Sequence, residues 1–255
     1  MQPRNRHGQA LDRMGLDIVS GGYAVGASLP AEPLLCDALG VSRTVVREAV
    51  KSLVAKGLLV TGPKLGTRVL PETSWNWFDA DVVRWTVRSG LTRAFLRDLQ
   101  ELRRVVEPAA VRLAAQRATA ADVRELEAAF AGMKLAIEEG GDYVHSDLRF
   151  HQGLLRAGRN RMLAHMGSAL GALLRTSFEL STSRPDGALH SLPLHRAVLD
   201  AVIARSPDAA ERAILVLIDG AGRDIDAVLA SRSRLPSLAA APRRLPRRPP
   251  AAPRG

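Results

Sequence analysis

The stretch from residue 92 to residue 231 constrains the fold most. Apolar residues recur there at the three-to-four-residue spacing of a helix face, and no strand pattern interrupts them. The predicted helical segments are 92–117, 120–139, 141–157, 159–184, 190–205 and 207–231. Because amphipathic helices of this kind bury their apolar stripes against one another, this part of the sequence predicts an all-α antiparallel bundle.

Residues 1–72 carry a different pattern, with three predicted helices followed by two short β-rich runs. These elements fall at 9–20, 30–39, 43–56, 58–60 and 67–70. A tight turn ending at Ser42, a residue type that caps helix N-termini, joins the second and third helices. Such a helix pair, followed by a hairpin, predicts a winged helix-turn-helix. In this fold the second helix of the pair enters the major groove of DNA. The predicted fold is therefore mainly α, with this domain preceding the bundle.

The leading residues of the third predicted helix are candidates for contacting DNA. Arginine bonds guanine in two places, and hydroxyl side chains bond bases or phosphates. We assign DNA binding to Glu32, Ser42, Arg43, Thr44, Arg47, Lys51, Lys64, Gly66 and Arg68. The face expected to be buried carries Val46, Val50, Leu53 and Val54. The alternative is that the arginines belong only to a solvated charged face, but the turn, the cap and the hairpin all favour DNA contact.

The charge of the chain is uneven. Its formal net charge is +10, yet residues 232–255 hold seven arginines and no acidic residue, while residues 1–70 hold nine Lys or Arg against five Asp or Glu. The first domain is thus modestly basic, as DNA-binding domains are. The tail is rich in Pro, Arg and Ala, a composition that predicts disorder.

Several kinds of protein are excluded by composition. The single cysteine, Cys36, rules out a disulfide framework and a cysteine-based zinc site. No apolar run reaches the roughly 18 residues of a membrane span, and the N-terminus lacks an apolar signal core. We therefore expect a cytoplasmic protein without membrane contact, located at the nucleoid when it is bound to DNA.

All three tryptophans, Trp75, Trp77 and Trp85, lie within eleven residues. We interpret this segment as an aromatic linker that staples two domains, with stacking on nucleic-acid bases as the alternative. The predicted domains are therefore 1–72 for DNA binding, 73–91 as the linker, 92–231 as the bundle and 232–255 as the tail.

One constellation in the predicted bundle suggests a binding site. Asp147 and His151 are four residues apart and share a helix face, and His195 begins a later helix. A carboxylate and two imidazoles inside a bundle can hold a divalent metal, although such a pair is also common as a helix-surface hydrogen bond. Arg103 lies beside an apolar stripe and needs an anionic partner, either Glu107 or the carboxylate of a ligand.

The N-terminal residues resemble the GntR family of winged-helix regulators. The resemblance is carried by Leu29-Pro30-Ala31-Glu32, by the run from Leu39 to Ala49, and by Leu53, Gly57-Leu58 and Gly66-Thr67. It implies a homodimer on palindromic double-stranded operator DNA, read by arginines at the positions of Arg43 and Arg47. Two departures are Pro33, where many members carry a phosphate-binding arginine, and Pro63-Lys64 at the wing tip.

The bundle resembles the FCD-type effector domain of the FadR subgroup of that family. The matching residues are Arg103 with Glu107-Pro108, Asp147 with Phe150-His151, and His195 with Leu199 and Ala201. The resemblance implies a carboxylate effector bound by Arg103, Asp147, His151 and His195, and one divalent metal, Zn or Ni. Three of the four metal ligands fall on Asp147, His151 and His195. The fourth falls on Leu217, which cannot ligate, so water or effector would have to complete the shell.

The tryptophan segment from Trp75 to Trp85 resembles the linker of regulators that respond to sugar acids such as D-galactonate, which implies an aldonate effector. The predicted function is a DNA-binding transcription regulator, a repressor released by a small carboxylate. Alternatives are a metal-responsive repressor of the same architecture, a DNA binder driven by the basic tail, and a metal-dependent hydrolase. The last is disfavoured because no base or nucleophile stands beside the metal candidates.

Overall fold

The computed structural model describes residues 6–183 and 186–231. Within these ranges the helices are α1 Arg6–Val19, α2 Glu32–Leu39, α3 Arg43–Ala55, α4 Ala80–Ser89, α5 Arg93–Arg117, α6 Ala120–Glu139, α7 Tyr143–Ala157, α8 Arg161–Ala169, α9 Gly171–Ser181, α10 Gly187–Ile203 and α11 Pro207–Ser231. The strands are β1 Leu59–Gly62 and β2 Gly66–Val69. The chain divides into two compact units between Leu91 and Thr92. The predicted fold class, a winged helix-turn-helix followed by a helical bundle, is confirmed.

The first unit is built around the pairing of α1 with α3 and the hairpin that follows. Met14, Leu53 and Leu58 are fully buried between these elements. The hairpin is antiparallel, with Leu59 opposite Val69 and with Gly62 opposite Gly66 at the turn. Burial of one face of α3 leaves its other face, which begins at Ser42, directed outward.

The ends of α2 and α3 differ in detail from the expected ones. The helix predicted at 30–39 begins at Glu32, and Pro33 lies in its first turn, where the missing N–H of proline has no hydrogen bond to lose. Ser42 occupies the N-cap position of α3, but its side chain makes no capping hydrogen bond. Val54, expected to be buried, is 36% exposed.

The tryptophan segment is part of the first unit. Residues 80–89 form α4, which packs on α1, and Trp85 is fully buried there. A Cβ at Gly15 would lie 2.5 Å from the ring of Trp85, so only glycine allows α1 to approach this closely. Trp75 is also buried, and its Nε1 donates to the carbonyl of Leu70. These rings therefore join the core of the first unit.

A group of ion pairs joins the end of α3 to the start of α4. Nζ of Lys56, the C-cap residue of α3, lies 2.7 Å from Oδ2 of Asp79 and 2.9 Å from Oδ2 of Asp81. Arg84 contacts Asp81 and also Asp12 of α1. The Lys56 side chain is only 15% exposed, so this charge is held away from most of the solvent.

We expect replacement of Asp79 to separate its capping role from its charge. Asp79 is the N-cap of α4 and accepts from the backbone N–H groups of Asp81 and Val82. Asp79→Asn keeps an amide oxygen for the cap, whereas Asp79→Ala removes it and lowers the free energy of unfolding by about 1 kcal/mol more. Urea unfolding followed by tryptophan fluorescence measures this unit alone, since it contains every tryptophan. Equal stability of the two variants would contradict the capping role.

The second unit is the helical bundle α5–α11. The longest helices, α5 and α11, pack against each other, as do α6 with α7 and α10 with α11. Its core includes fully buried Met133, Phe150 and Leu199. The predicted single helix 159–184 is instead two, α8 and α9, which meet at Leu170. The prediction of disorder for 232–255 lies outside the described residues.

Candidate functional site

The outward face of α3 carries the residues assigned to DNA. Ser42, Arg43, Thr44, Arg47 and Lys51 are all exposed, with the Arg43 and Arg47 side chains 70% and 66% exposed. The helix presents them because its opposite face is buried in the core of the first unit. These exposed hydroxyl and guanidinium groups can bond base edges and phosphates, which is the chemistry of a recognition helix.

Glu32 lies against this arginine pair. Its Oε2 accepts from Nε of Arg47 at 2.7 Å, and its Oε1 lies 4.0 Å from Nε of Arg43. This contact raises the pKa of the Arg47 guanidinium, first through the hydrogen bond and then through the charge of Glu32. Glu32 was assigned to DNA from the sequence, and in the structure it contacts the two arginines.

The hairpin places its assigned residues beside α3. Lys64 and Gly66 are exposed at the turn with φ values of 64° and 70°, and Arg68 lies on β2. Arg68 donates to the carbonyls of Leu65 and Gly26, both at 3.3 Å, which holds it along the hairpin. A groove of about 370 Å³ separates the hairpin from α3 and is flanked by Arg47 and Lys51.

In the bundle, the structure brings together the three residues that the sequence singled out as metal ligands. Asp147 and His151 lie one turn apart on α7, and His195 lies on α10. Oδ1 of Asp147 is 3.3 Å from Nε2 of His151 and 3.0 Å from Nε2 of His195. All three residues are 1–3% exposed, and one possible ligand atom from each lies within 4.8 Å of the others. We call them the Asp-His-His cluster.

The second nitrogen of each imidazole has its own acceptor. Nδ1 of His151 lies 2.7 Å from Oε2 of Glu107, and Nδ1 of His195 lies 2.9 Å from the carbonyl oxygen of Ser191. Since a carboxylate and a carbonyl only accept, each Nδ1 carries a proton. Both Nε2 atoms therefore face Asp147, and in neutral rings they present lone pairs. Imidazoles held through Nδ1 in this way are typical of metal ligands, so the residues fit a divalent metal.

Glu107 also explains the buried arginine. Nε of Arg103 donates to Oε1 of Glu107 at 2.7 Å, and its guanidinium lies 4.9 Å from the ring centre of Phe178. Of the two partners considered for Arg103, Glu107 is thus in contact with it. Nη1 of Arg103 remains buried without a partner among the described residues. A buried donor of this kind needs water or a ligand to complete its hydrogen bonding.

The buried charges around the Asp-His-His cluster stabilise one another. Burial alone would raise the pKa of Glu107, but Arg103 and His151 outweigh burial and lower it to about 2. Burial would lower the pKa of His151, but Glu107 and Asp147 raise it to about 9. The pKa of Asp147 is held well below its usual range by His195 and His151 despite burial. Without metal, charges of opposite sign therefore alternate from Arg103 to Asp147.

Sequence reasoning missed two residues of this site. Ser191 contacts Nδ1 of His195 through its backbone carbonyl at 2.9 Å and through its hydroxyl at 3.2 Å, and its spacing of four residues before His195 on α10 contained the signal. Tyr143 is buried, and burial, followed by the charge of Asp147, raises the pKa of its hydroxyl. Its spacing of four residues before Asp147 places it on the same face of α7, so the periodicity of that helix contained the signal.

Two histidines and one leucine complete the comparison with the sequence. His190 lies on α10, and it is exposed, as is His145. Leu217, at the position of the missing fourth ligand, is buried and packs in the bundle core. Among the described helices, none is long and apolar enough to cross a membrane.

Both parts of the chain match known protein families. Residues 7–69 match the family described as bacterial regulatory proteins, gntR family, and residues 98–220 match the FCD domain. The chain is 32% identical to the galactonate operon transcriptional repressor of Escherichia coli strain K12, over 86% of this chain and 96% of that protein. It is 31% identical to a probable D-xylose utilization operon transcriptional repressor of Paenarthrobacter nicotinovorans, over 81% of this chain and 82% of that protein.

A solved structure supports the fold. It is that of Lar, described as controlling the expression of the Listeria monocytogenes agr system, and it superposes with a TM-score of 0.64 at 14% identity, covering 89% of this chain and 99% of that one. Both domain matches follow the order of the two structural units. The chain therefore belongs to the GntR family, as a transcription regulator with an FCD domain and not an enzyme.

Proposed function

We propose that the protein is a homodimeric repressor that binds operator DNA through α3 and the hairpin and is released by a sugar acid bound in the bundle. The observation that carries this proposal is the Asp-His-His cluster with its buried neighbours Glu107 and Arg103. Burying this many charged groups is costly, and DNA binding does not require them. A binding site for an anionic ligand accounts for them.

On the DNA side, Arg43 and Arg47 read bases and Lys51 and Lys64 contact phosphates, with Ser42, Thr44, Gly66 and Arg68 beside them. Glu32 directs the Arg47 side chain by holding its Nε. The phosphate contacts make binding weaken with added salt. We place the boundary of the DNA-binding domain after residue 91, because α4 shares its core.

On the effector side, Asp147, His151 and His195 hold one divalent metal, Zn or Ni. The metal would supply a Lewis acid that binds an oxygen of the effector. Glu107 and Ser191 orient the two imidazoles, and Leu217 adds no fourth protein ligand. Nη1 of Arg103 is the available donor for the effector carboxylate, in a charge-assisted hydrogen bond. The similarity to a galactonate operon repressor supports an aldonate as this effector.

The test is operator release. Operator fragments are first selected from random DNA by the full-length protein, and their affinity is then measured with and without D-galactonate or D-gluconate in the presence of zinc. We expect an aldonate to weaken operator binding about 5- to 150-fold, the usual range of allosteric coupling. A matched titration with chelator removes the metal contribution. Operator affinity unchanged by every sugar acid, with and without metal, would contradict the proposal.

A metal-responsive repressor is the second candidate. It is favoured by the fact that the three possible ligand atoms of the Asp-His-His cluster lie within 4.8 Å of one another and that each imidazole has its own partner at Nδ1. In the same experiment it predicts that zinc or nickel alone changes operator affinity and that sugar acids add nothing. Operator affinity measured with metal alone and with metal plus sugar acid therefore distinguishes the two candidates.

Removal of the basic tail separates both candidates from a tail-driven DNA binder. We expect a chain ending at residue 231 to keep its preference for operator over random DNA, because α3 and the hairpin are intact. Its affinity for random DNA should fall and depend less on salt, since seven arginines are lost. Filter binding over a range of salt concentrations measures both. Loss of operator preference on truncation would contradict the assignment of recognition to α3.

A further inference from the structure

A cleft of about 180 Å³ opens between α9, α10 and α11, beside the buried cluster. Its polar lining comes from three hydroxyls, one imidazole, one guanidinium and one carboxylate, and these residues are Ser181, Thr182, Ser191, His190, Arg223 and Asp224. Leu217 lines it too. We call this the α10–α11 cleft. Its volume suits part of a small metabolite and is below that of a site for a drug-sized ligand.

Ser191 connects the cleft to the Asp-His-His cluster. The residue lines the cleft, and its carbonyl accepts from Nδ1 of His195, whose Nε2 faces Asp147. Because Asp147, His151 and His195 are at most 3% exposed, a ligand needs an opening to reach them. The cleft is open to solvent, and Ser191 lies between it and His195.

The chemistry of the lining indicates what the cleft holds. The hydroxyls of Ser181 and Thr182 donate to the carbonyl of Phe178, so toward the cleft they can only accept. Together with the carboxylate of Asp224 they offer acceptors, and His190 and the exposed guanidinium of Arg223 offer donors, so the lining suits a chain of ligand hydroxyls better than an apolar group. Small residues, Gly187, Gly220 and Ala221, leave the space open. Leu217 contributes an alkyl wall at the position where the family resemblance predicts a metal ligand.

We propose that the α10–α11 cleft binds the hydroxylated tail of the sugar acid whose carboxylate end occupies the cluster, and that Arg223 and His190 select long polyhydroxy acids over short ones. This inference rests on the proposed function, because it extends the same effector site. It adds a selectivity subsite on α10 and α11 that the cluster itself does not provide. A two-carbon hydroxy acid would fill the cluster end and leave the cleft to water.

The test compares two acids in two variants of the full-length protein. Arg223→Gln removes the guanidinium, and Ala221→Leu fills the cleft; Arg212→Gln, an exposed arginine elsewhere on α11, is the matched control. Calorimetry with D-galactonate and D-gluconate as long probes and glycolate as the short probe measures affinity. We expect each cleft variant to lose about tenfold or more for an aldonate and less than about twofold for glycolate, with no change in the control.

The outcomes distinguish this inference from the proposed function. If the wild type binds aldonates and glycolate but both cleft variants bind the aldonates unchanged, the cleft inference is wrong and the effector site stands. Equal losses for long and short acids would also overturn it, because they indicate a general disturbance of the bundle. A wild type that binds neither class of acid contradicts the proposed function, and the inference with it.

Discussion

Replacing both Arg43 and Arg47 by alanine should abolish selective operator binding. Each guanidinium that bonds a guanine in two places contributes about 1–3 kcal/mol of discrimination. Together they account for about 2–6 kcal/mol, which corresponds to a loss of about 30-fold to 10⁴-fold in operator affinity. Both side chains are exposed and outside the core, so the fold should be unchanged. Gel-shift titration against the selected operator and against random DNA measures the effect.

The control for this variant keeps the change in net charge the same. Arg97 and Arg196 are exposed arginines in the bundle, each in an ion pair on its own helix. Their double alanine variant removes two positive charges and should leave the ratio of operator to random-DNA affinity unchanged. The recognition role is refuted if the Arg43 and Arg47 variant keeps that ratio, or if the control loses it equally.

Glu107→Gln should destabilise the bundle by about 3–5 kcal/mol, the usual cost of removing one partner from a buried ion pair. The carboxylate lies within 2.7 Å of both Arg103 and His151, so its loss leaves two buried cationic groups without their shared anion. The amide N–H of glutamine can donate to Nδ1 of His151. The ring proton then moves to Nε2, which can no longer bind a metal. Zinc affinity should fall about 10- to 100-fold as a result.

Two optical signals separate this effect from a general loss of stability. Far-UV circular dichroism follows mainly the bundle, because α5–α11 hold most of the helical residues, whereas the tryptophans all lie before residue 91. In urea, the dichroism transition should move to lower concentration and the fluorescence transition should stay in place. Glu101→Gln, on the same helix but 70% exposed, should shift neither. Unchanged stability of the Glu107 variant would contradict the structural role given to this carboxylate.

Helix periodicity allowed much of this site to be predicted from sequence. Asp147 and His151 are local on α7, so their common face follows from 3.6 residues per turn. The pairing of α2 with α3 and the position of Ser42 at the start of α3 follow from equally local signals. His195 could be named as a partner, but its distance to Asp147 depends on how α7 and α10 pack.

What the sequence did not predict depends on contacts between distant segments. Glu107 holds Arg103 on its own helix, but its second contact, with His151, requires α5 and α7 to meet. The tryptophan segment was expected to bridge two domains, and the close approach of Trp85 to Gly15 on α1 could not be recognised from composition.

The sharing of one core by α4 and α1 has a consequence for the exchange of modules between regulators. A chimera joined at residue 72 would separate the recognition domain from the helix that carries Trp85 and would open the apolar surface beneath that ring. A fusion joined at residue 91 keeps the surface covered. Fusion of this DNA-binding domain to the effector domain of another regulator should therefore give a folded protein only when the junction follows α4.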